Sequence, residues 1–296
     1  MIPQKTLYLC IDMTTFHDLW TSLTPLYDDR EAQAIVRLLL EEAFGLSMAD
    51  MLCGGIDDLA PAQTNQLTDM MRRLREAEPV QYVVGRTEFC GRMFHVGQGV
   101  LIPRPETELL CQWIERDSQS GKNSSSYPLQ ILDIGSGSGC IAVTLALSLP
   151  NSHVTAWDIS EQALRITRQN ADSLGASVTC ERMDILNPPV SQHTWDIIVS
   201  NPPYITQRER AAMHDNVIRH EPEEALFVPD NDPQLFYRAI AHYATTHLSE
   251  RGRLYLECSP LHINPIAQML TAMGYQSVDM MEDQYGKQRH LKALRP

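Results

Sequence analysis

From Leu129 onward the chain alternates short apolar runs with helix-length amphipathic stretches, and this alternation restricts its architecture more than any other feature. LQILDIG reads as a strand and GCIAVTLALSL as a helix. HVTAWD is a strand and SEQALRITRQNADSLG a helix, capped by Ser160 and stopped by Gly175. SVTCER and WDIIVS follow as strands, then a helix from about Pro233 to Leu248, then the strand RLYLEC. Parallel neighbours need a crossover of helix length, so this order predicts an α/β domain: a mostly parallel sheet with helices on both faces. Ligands of such sheets bind beyond the carboxyl ends of the strands. The motifs that carry chemistry here all lie at those ends.

The segment before it has a different period. In DDREAQAIVRLLLEEAFG, Ala32, Ile35, Val36, Leu39, Leu40 and Ala43 fall at helical spacing with Gly45 as a stop. Leu67, Met70, Met71 and Leu74 repeat the pattern up to Pro79. Both stripes predict packing within a small helical bundle over residues 1–82. From Gln81 to Ile102, short runs around Tyr82, Phe89, Phe94 and Val100 are broken by Gly85, Gly91, Gly97 and Gly99, which predicts a β-hairpin linker at 83–103. The α/β domain then occupies 104–296, with a flexible Ser/Gly-rich loop at DSQSGKNSSSYP.

Composition narrows the partners. The net charge of −13 argues against phosphate-led nucleic-acid binding. Seven scattered cysteines without a CxxC pair suit reduced thiols, and the ten histidines show no metal-ligand spacing, so no metal is assigned. No apolar run is long enough to span a membrane and the N-terminus lacks a signal-peptide pattern, so a cytoplasmic location is expected.

Asp133-Ile134-Gly135-Ser136-Gly137-Ser138-Gly139 joins the first strand to its helix. Its glycines permit a sharp turn and a close approach of ligand to backbone. The third glycine comes one residue too early for the dinucleotide pattern GxGxxG, giving GxGxG with an acid two residues ahead. Asp158 ends the second strand, where a carboxylate can accept both hydroxyls of a ribose. Asp184 ends the third, within reach of an adenine amino group. Three carboxylates around one pocket suit a cationic sulfonium better than a pyrophosphate, which they would repel. S-adenosyl-L-methionine fits that pattern.

The fourth strand ends in Ser200-Asn201-Pro202-Pro203-Tyr204. The Asn201 side-chain oxygen and the Pro202 carbonyl can accept the two N–H bonds of a planar NH2 group, aiming its nitrogen at a neighbouring methyl. The prolines stiffen the loop without offering a competing donor, and Tyr204 supplies a flat face for stacking. The stretch reads as a clamp for a poorly nucleophilic nitrogen.

With these motifs in place, the chain resembles the release-factor glutamine methyltransferases (the PrmC/HemK family) over nearly its whole length. PVQYVVGRTEFCGRMFHVGQGVLIPRPETELL is similar to the family's linker and domain entry, ILDIGSGSGCIAV to its cofactor loop, SNPPYI to its active site, and HEPEEALF and DQYGKQR to its later signatures. The resemblance implies a Rossmann-like class I methyltransferase domain with a seven-stranded sheet whose terminal strand is antiparallel. It implies methylation of the glutamine N5 in the Gly-Gly-Gln loop of class I peptide-chain release factors. Carried over by position, Gly135, Gly137, Gly139, Asp158 and Asn201 are the implied S-adenosyl-L-methionine contacts, and with Asp133, Ser136, Ser138, Asp184 and Ile185 they make up the expected cofactor site. Asn201, Pro202, Pro203 and Tyr204 form the implied glutamine clamp, with Asn201, Pro202 and Tyr204 catalytic. Arg104, Pro105 and Glu106 resemble a loop flanking the cofactor. Ile185 stands where many relatives place an aromatic, and the first dozen residues lie outside the family pattern. A monomer acting on a protein, with no direct nucleic-acid contact, is the expectation. The other enzyme sharing NPPY would be a DNA or RNA amino-methyltransferase, which the acidic balance disfavours.

Overall fold

The structure is a computed structural model and describes residues 15–120, 127–190 and 192–296. The chain divides after Val84 into two compact units. The first holds α1 (Phe16–Thr21), α2 (Asp29–Phe44), α3 (Met48–Leu52), α4 (Pro61–Arg75) and α5 (Val80–Val84). Asp28 caps α2 by accepting the N–H groups of Arg30 and Glu31, both at 2.9 Å, and Gly45 ends it in the left-handed conformation. The α2 stripe Ala32, Val36, Leu39 and Leu40 is fully buried, and it shares one core with Leu67, Met71 and Leu74 of α4. Residues 1–14, expected to form a helical start with an extension, lie outside the described residues.

Val83, placed in the hairpin linker from its sequence, is instead part of α5 and buried. The physical reason is Arg73. Its guanidinium grips Glu78 at 2.8 and 2.6 Å and donates to the carbonyls of Tyr82 (3.1 Å) and Val83 (3.3 Å). Those are the carbonyls that a helix end leaves without an intrahelical partner, so a cation ten residues upstream stabilises a turn that local pattern alone does not predict.

In the second unit the hairpin is shorter than expected: β1 (Arg86–Phe89) and β2 (Arg92–His95) pair antiparallel around Cys90-Gly91, both at positive φ. Then come α6 (Pro105–Ser120), β3 (Leu129–Ile134), α7 (Cys140–Ser148), β4 (Ser152–Asp158), α8 (Glu161–Leu174), β5 (Val178–Arg182) and β6 (Trp195–Ser200). A small segment follows, with β7 (Ile205–Thr206), a 3₁₀ turn at Gln207–Ala212, α9 (Asp215–His220), α10 (Glu223–Leu226) and β8 (Phe227–Val228). The chain finishes through α11 (Leu235–His247), β9 (Leu248–Glu257), α12 (Ile263–Ala272), β10 (Gln276–Glu282) and β11 (Gln288–Leu294). Asp117 to Ser120, read as part of the Ser/Gly loop, extend α6, and Asp117 accepts the Tyr255 hydroxyl at 2.8 Å. Residues 121–126 of that loop lie outside the described residues.

The seven strands run in the order β10-β11-β9-β6-β3-β4-β5. All are parallel except β11, which is antiparallel to both neighbours. One core packs Leu132, Ile198, Leu254 and Leu256 against Tyr237 and Ile240 of α11 and Ile266 and Leu270 of α12. Another packs Ile131, Ile197, Val199 and Tyr255 with Leu110 and Ile114 of α6 and Ile141, Val143 and Leu145 of α7. Adjacent residues along a strand thus enter different cores, as a sheet covered on both faces requires.

Candidate active site

Register across the sheet places the site. Ile134 pairs with Ser200, Ser200 with Leu256, and Glu257 with His290. The next residues, Gly135, Asn201, Glu257 and His290, therefore stand in a row over four adjacent strands. The Ser200 hydroxyl donates to the Ile134 carbonyl at 2.6 Å and ties the first two strand ends together.

The glycine turn is built on strand-end acceptors. Gly135 and Ser136 both donate to the Trp157 carbonyl, at 2.8 and 3.0 Å. Gly137 donates to the Asp158 carboxylate at 2.9 Å, and the other oxygen of that carboxylate accepts Ser160 N–H at 2.8 Å. Burial raises Asp158 above the usual carboxylate range against these hydrogen bonds, which favour the charged form. Gly137 and Gly139 lie at φ of 55° and 79°. At Gly139 a Cβ would meet the Thr167 methyl at 2.7 Å, whereas at Gly137 it would enter open space. Gly139 is thus fixed by packing and Gly137 by backbone conformation, with room left above it. Behind the turn, Asn170 donates to the carbonyls of Ser138 (2.8 Å) and His95 (2.9 Å), so the hairpin braces the loop.

Asp133 is fully buried, with Oδ2 accepting Ala142 N–H at 3.1 Å and Oδ1 without a partner. Burial pushes its carboxyl up to about 7. A buried oxygen of this kind invites a cationic or N–H donor from a ligand. Asp184 uses its carboxylate on its own turn, accepting Leu186 N–H (2.9 Å) and the Asn187 amide (2.8 Å). Ile185 is buried as a member of the core cluster that includes Leu132, Trp157 and Ile198.

Asn201, Pro202 and Tyr204 line one mostly apolar cavity of about 300 Å³, together with Leu101, Arg104, Met213 and Val217. Pro203 does not line it. The Asn201 Nδ2 donates to Thr107 Oγ1 at 3.4 Å, and the Thr107 hydroxyl donates to Glu257 at 2.7 Å. Burial holds Glu257 up at about 7, although the Thr107 hydrogen bond favours its ionised form. Arg104 pairs with Glu221 at 2.5 Å, and the second Glu221 oxygen accepts Ile102 N–H at 3.2 Å. His290 Nε2 donates to the Glu106 carbonyl at 2.9 Å, leaving Nδ1 buried without a partner, and burial lowers its imidazole to about 4. The DQYGKQR segment seats His290: Asp283 accepts N–H from Tyr285 and Lys287, both 2.9 Å, and Arg289 at 3.1 Å. Residues 104–107 are thereby held by three later segments of the chain.

Thr107, Glu221, Glu257 and His290 were not among the residues singled out from the sequence. Glu257 carried a usable signal, being an acid at the end of an apolar strand like Asp133 and Asp158. Among the described residues no His, Cys, Asp or Glu cluster could hold a metal ion, and no helix is long and apolar enough to cross a membrane.

A mostly parallel sheet with its last strand antiparallel and a glycine turn at its switch point is a ligand-binding architecture, and the match of residues 107–226 to a methyltransferase model places this chain among the S-adenosyl-L-methionine-dependent methyltransferases. The human hMettl16 catalytic domain shares the fold, with a TM-score of 0.53 at 16% identity over 74% of this chain and 81% of its own. So does the Thermus thermophilus 16S rRNA N2 G1207 methyltransferase, with a TM-score of 0.50 at 16% identity over 71% and 50%. Residues 107–226 match the model of the methyltransferase small domain, and residues 23–85 that of the PrmC N-terminal domain. The release factor glutamine methyltransferase of Bacteroides thetaiotaomicron is 42% identical over 93% of this chain and 96% of its own. The enzyme of that name from Flavobacterium psychrophilum is 38% identical over 92% and 94%. The chain belongs to the family of release factor glutamine methyltransferases.

Proposed function

We propose that the protein methylates the side-chain N5 of the glutamine in the Gly-Gly-Gln loop of class I peptide-chain release factors. The observation that carries this reading is the register that sets Gly135 beside Asn201, so that a cofactor turn and an amide-accepting loop begin on neighbouring strands. The residues fit S-adenosyl-L-methionine: Asp158 would offer its remaining lone pairs to ribose hydroxyls, the unpartnered Asp133 Oδ1 could take an N–H donor, and the space over Gly137 would admit the ligand against backbone. Asp184 and the backbone of Ile185 serve the adenine edge. When bound, the cofactor supplies a methyl carbon made electrophilic by its sulfonium.

The rest is done by the chain itself. An amide nitrogen is a weak nucleophile because its lone pair is delocalised, so positioning and hydrogen-bond polarisation dominate. Asn201 Nδ2 is engaged by Thr107, which leaves Oδ1 to accept one N–H of the glutamine amide. The Pro202 carbonyl accepts the other and polarises that N–H bond, and as the nitrogen gains charge its proton is lost past the carbonyl to water. Tyr204 stacks on the amide plane, and burial holds its phenol protonated. The apolar wall of Leu101, Met213 and Val217 keeps water from competing.

The helical unit docks the release factor rather than nucleic acid. Residues 1–80 carry thirteen acids against six bases, a surface that repels phosphate and attracts a basic protein face. The enzyme acts as a cytoplasmic monomer. A labelled-methyl assay offering purified release factor, DNA and rRNA side by side tests the assignment. Label confined to the release-factor glutamine is expected, and label on a base would replace this reading with the amino-methyltransferase one.

A further inference from the structure

We infer that Thr107 and Glu257 form a positioning relay that fixes which face of the Asn201 amide meets the substrate. The inference rests on the glutamine-methylation reading and adds to it a cause for the clamp's polarity. An asparagine side chain presents either an acceptor oxygen or an NH2 group, and a rotation of half a turn exchanges them. Only the oxygen can receive an N–H from a substrate amide. Something in the protein must choose.

The choice is made through a single proton. Thr107, on the first turn of α6, is buried, and its hydroxyl proton goes to Glu257 at 2.7 Å. With that proton committed, the hydroxyl oxygen can only accept from Asn201, and it does so from Nδ2. Oδ1 is then the atom left for the cavity. Glu257 comes to this place through the sheet: Ser200 pairs with Leu256, so Glu257 is the neighbour of Asn201 on the adjacent strand. The carboxylate is buried and makes no other side-chain hydrogen bond that would compete for it among the described contacts.

The relay depends on ionisation. Once Glu257 is protonated, the Thr107 proton is released to point at Asn201, and the amide can settle with its oxygen toward Thr107 and its NH2 toward the substrate. Groups from every packed element bear on that ionisation. Arg104 and Glu106 lie just before and within α6, Arg289 and His290 on β11, Tyr204 beyond β6, Tyr237 on α11, Cys140 on α7, and Cys258 next in the chain. Burial places the midpoint near neutrality, at about 7. The ionised form is the competent one, so turnover falls as pH drops through that value.

The test uses the full chain with intact release factor. Thr107→Val keeps the shape and removes the hydroxyl; kcat is expected to fall ~10- to 100-fold, as for a misoriented reacting group, with cofactor affinity within about twofold of wild type. Thr107→Ser is expected to restore most of the rate. Glu257→Gln keeps an acceptor for Thr107 but cannot titrate, so its kcat profile is expected to lack the acid limb predicted for wild type. The Asn201 side-chain amide resonances, followed by NMR without substrate, are expected to titrate with that same midpoint in wild type and to stay constant in Glu257→Gln. A Thr107→Val enzyme with wild-type kcat, equal losses in the Val and Ser variants, or pH-independent Asn201 resonances overturn the relay. If wild type leaves glutamine unmethylated while the resonances titrate, the substrate reading fails and the relay stands.

Discussion

A carboxylate that binds backbone and ligand at once makes a residue-scale prediction with two parts. Asp158 already holds Gly137 and Ser160 N–H groups, so Asp158→Ala removes the ribose acceptor and loosens the turn together. Cofactor affinity is expected to fall by on the order of 2–4 kcal/mol. Calorimetry giving wild-type affinity would remove Asp158 from the site. Asn201→Ala differs: it touches no backbone amide, so the fold and cofactor binding persist while turnover drops by ~100-fold or more, the size of losing one transition-state hydrogen-bonding group. A labelled-methyl rate near wild type would show that the clamp is not what activates the nitrogen. Ile185 illustrates how a position in a motif and a role can separate. Its side chain is buried in the core cluster that also holds residues of β3, β6, β9, α11 and α12, and an aliphatic side chain offers no aromatic face for stacking.

At the scale of elements, the loop before α6 is where separate segments are joined. Glu221 is buried and satisfies both Arg104 and Ile102, while Arg104 remains one-third exposed. Glu221→Ala is therefore expected to cost about 2 kcal/mol, since the arginine left behind can reach water. Denaturant titration should find coupling of ~1 kcal/mol or more in a double-mutant cycle with Arg104→Ala, and additivity would mean the pair is not a constraint. Much of the architecture was legible because periodicity is local. The strands LQILDI, HVTAWD and WDIIVS, the Ser160 cap and the Gly175 stop lie where their patterns put them. The glycine turn, Asp158 and NPPY were legible as motifs. What was not legible depends on tertiary partners: the α5 turn needs Arg73 from another helix, and Asp117 leaves a polar loop for a helix because Tyr255 awaits it. Thr107 and Glu257 escaped because 150 residues of sequence separate two atoms 2.7 Å apart.

For the whole molecule, the division after Val84 sets a clean experiment. A chain beginning at Gly85 keeps every strand of the sheet, and circular dichroism with cofactor calorimetry checks that it remains folded. Such a chain is expected to bind S-adenosyl-L-methionine normally yet to lose most of its kcat/KM for intact release factor, because a glutamine side chain alone is too small to supply selectivity. Full-rate methylation by the shortened enzyme would reduce the helices to a stabilising role. The row Gly135, Asn201, Glu257 and His290 bears on how the enzyme comes into being. The strand that seats His290 is the last of the seven to be synthesised, yet it lies inside the sheet between β9 and β10. Until it pairs, β9 has an unpaired edge, β10 has no strand to pair with, and the buried contact between His290 and the Glu106 carbonyl is missing. A growing chain can therefore display the glycine turn and the prolines long before it can work. Glu257 and His290 face each other over the strand ends only where β11 is paired with β9.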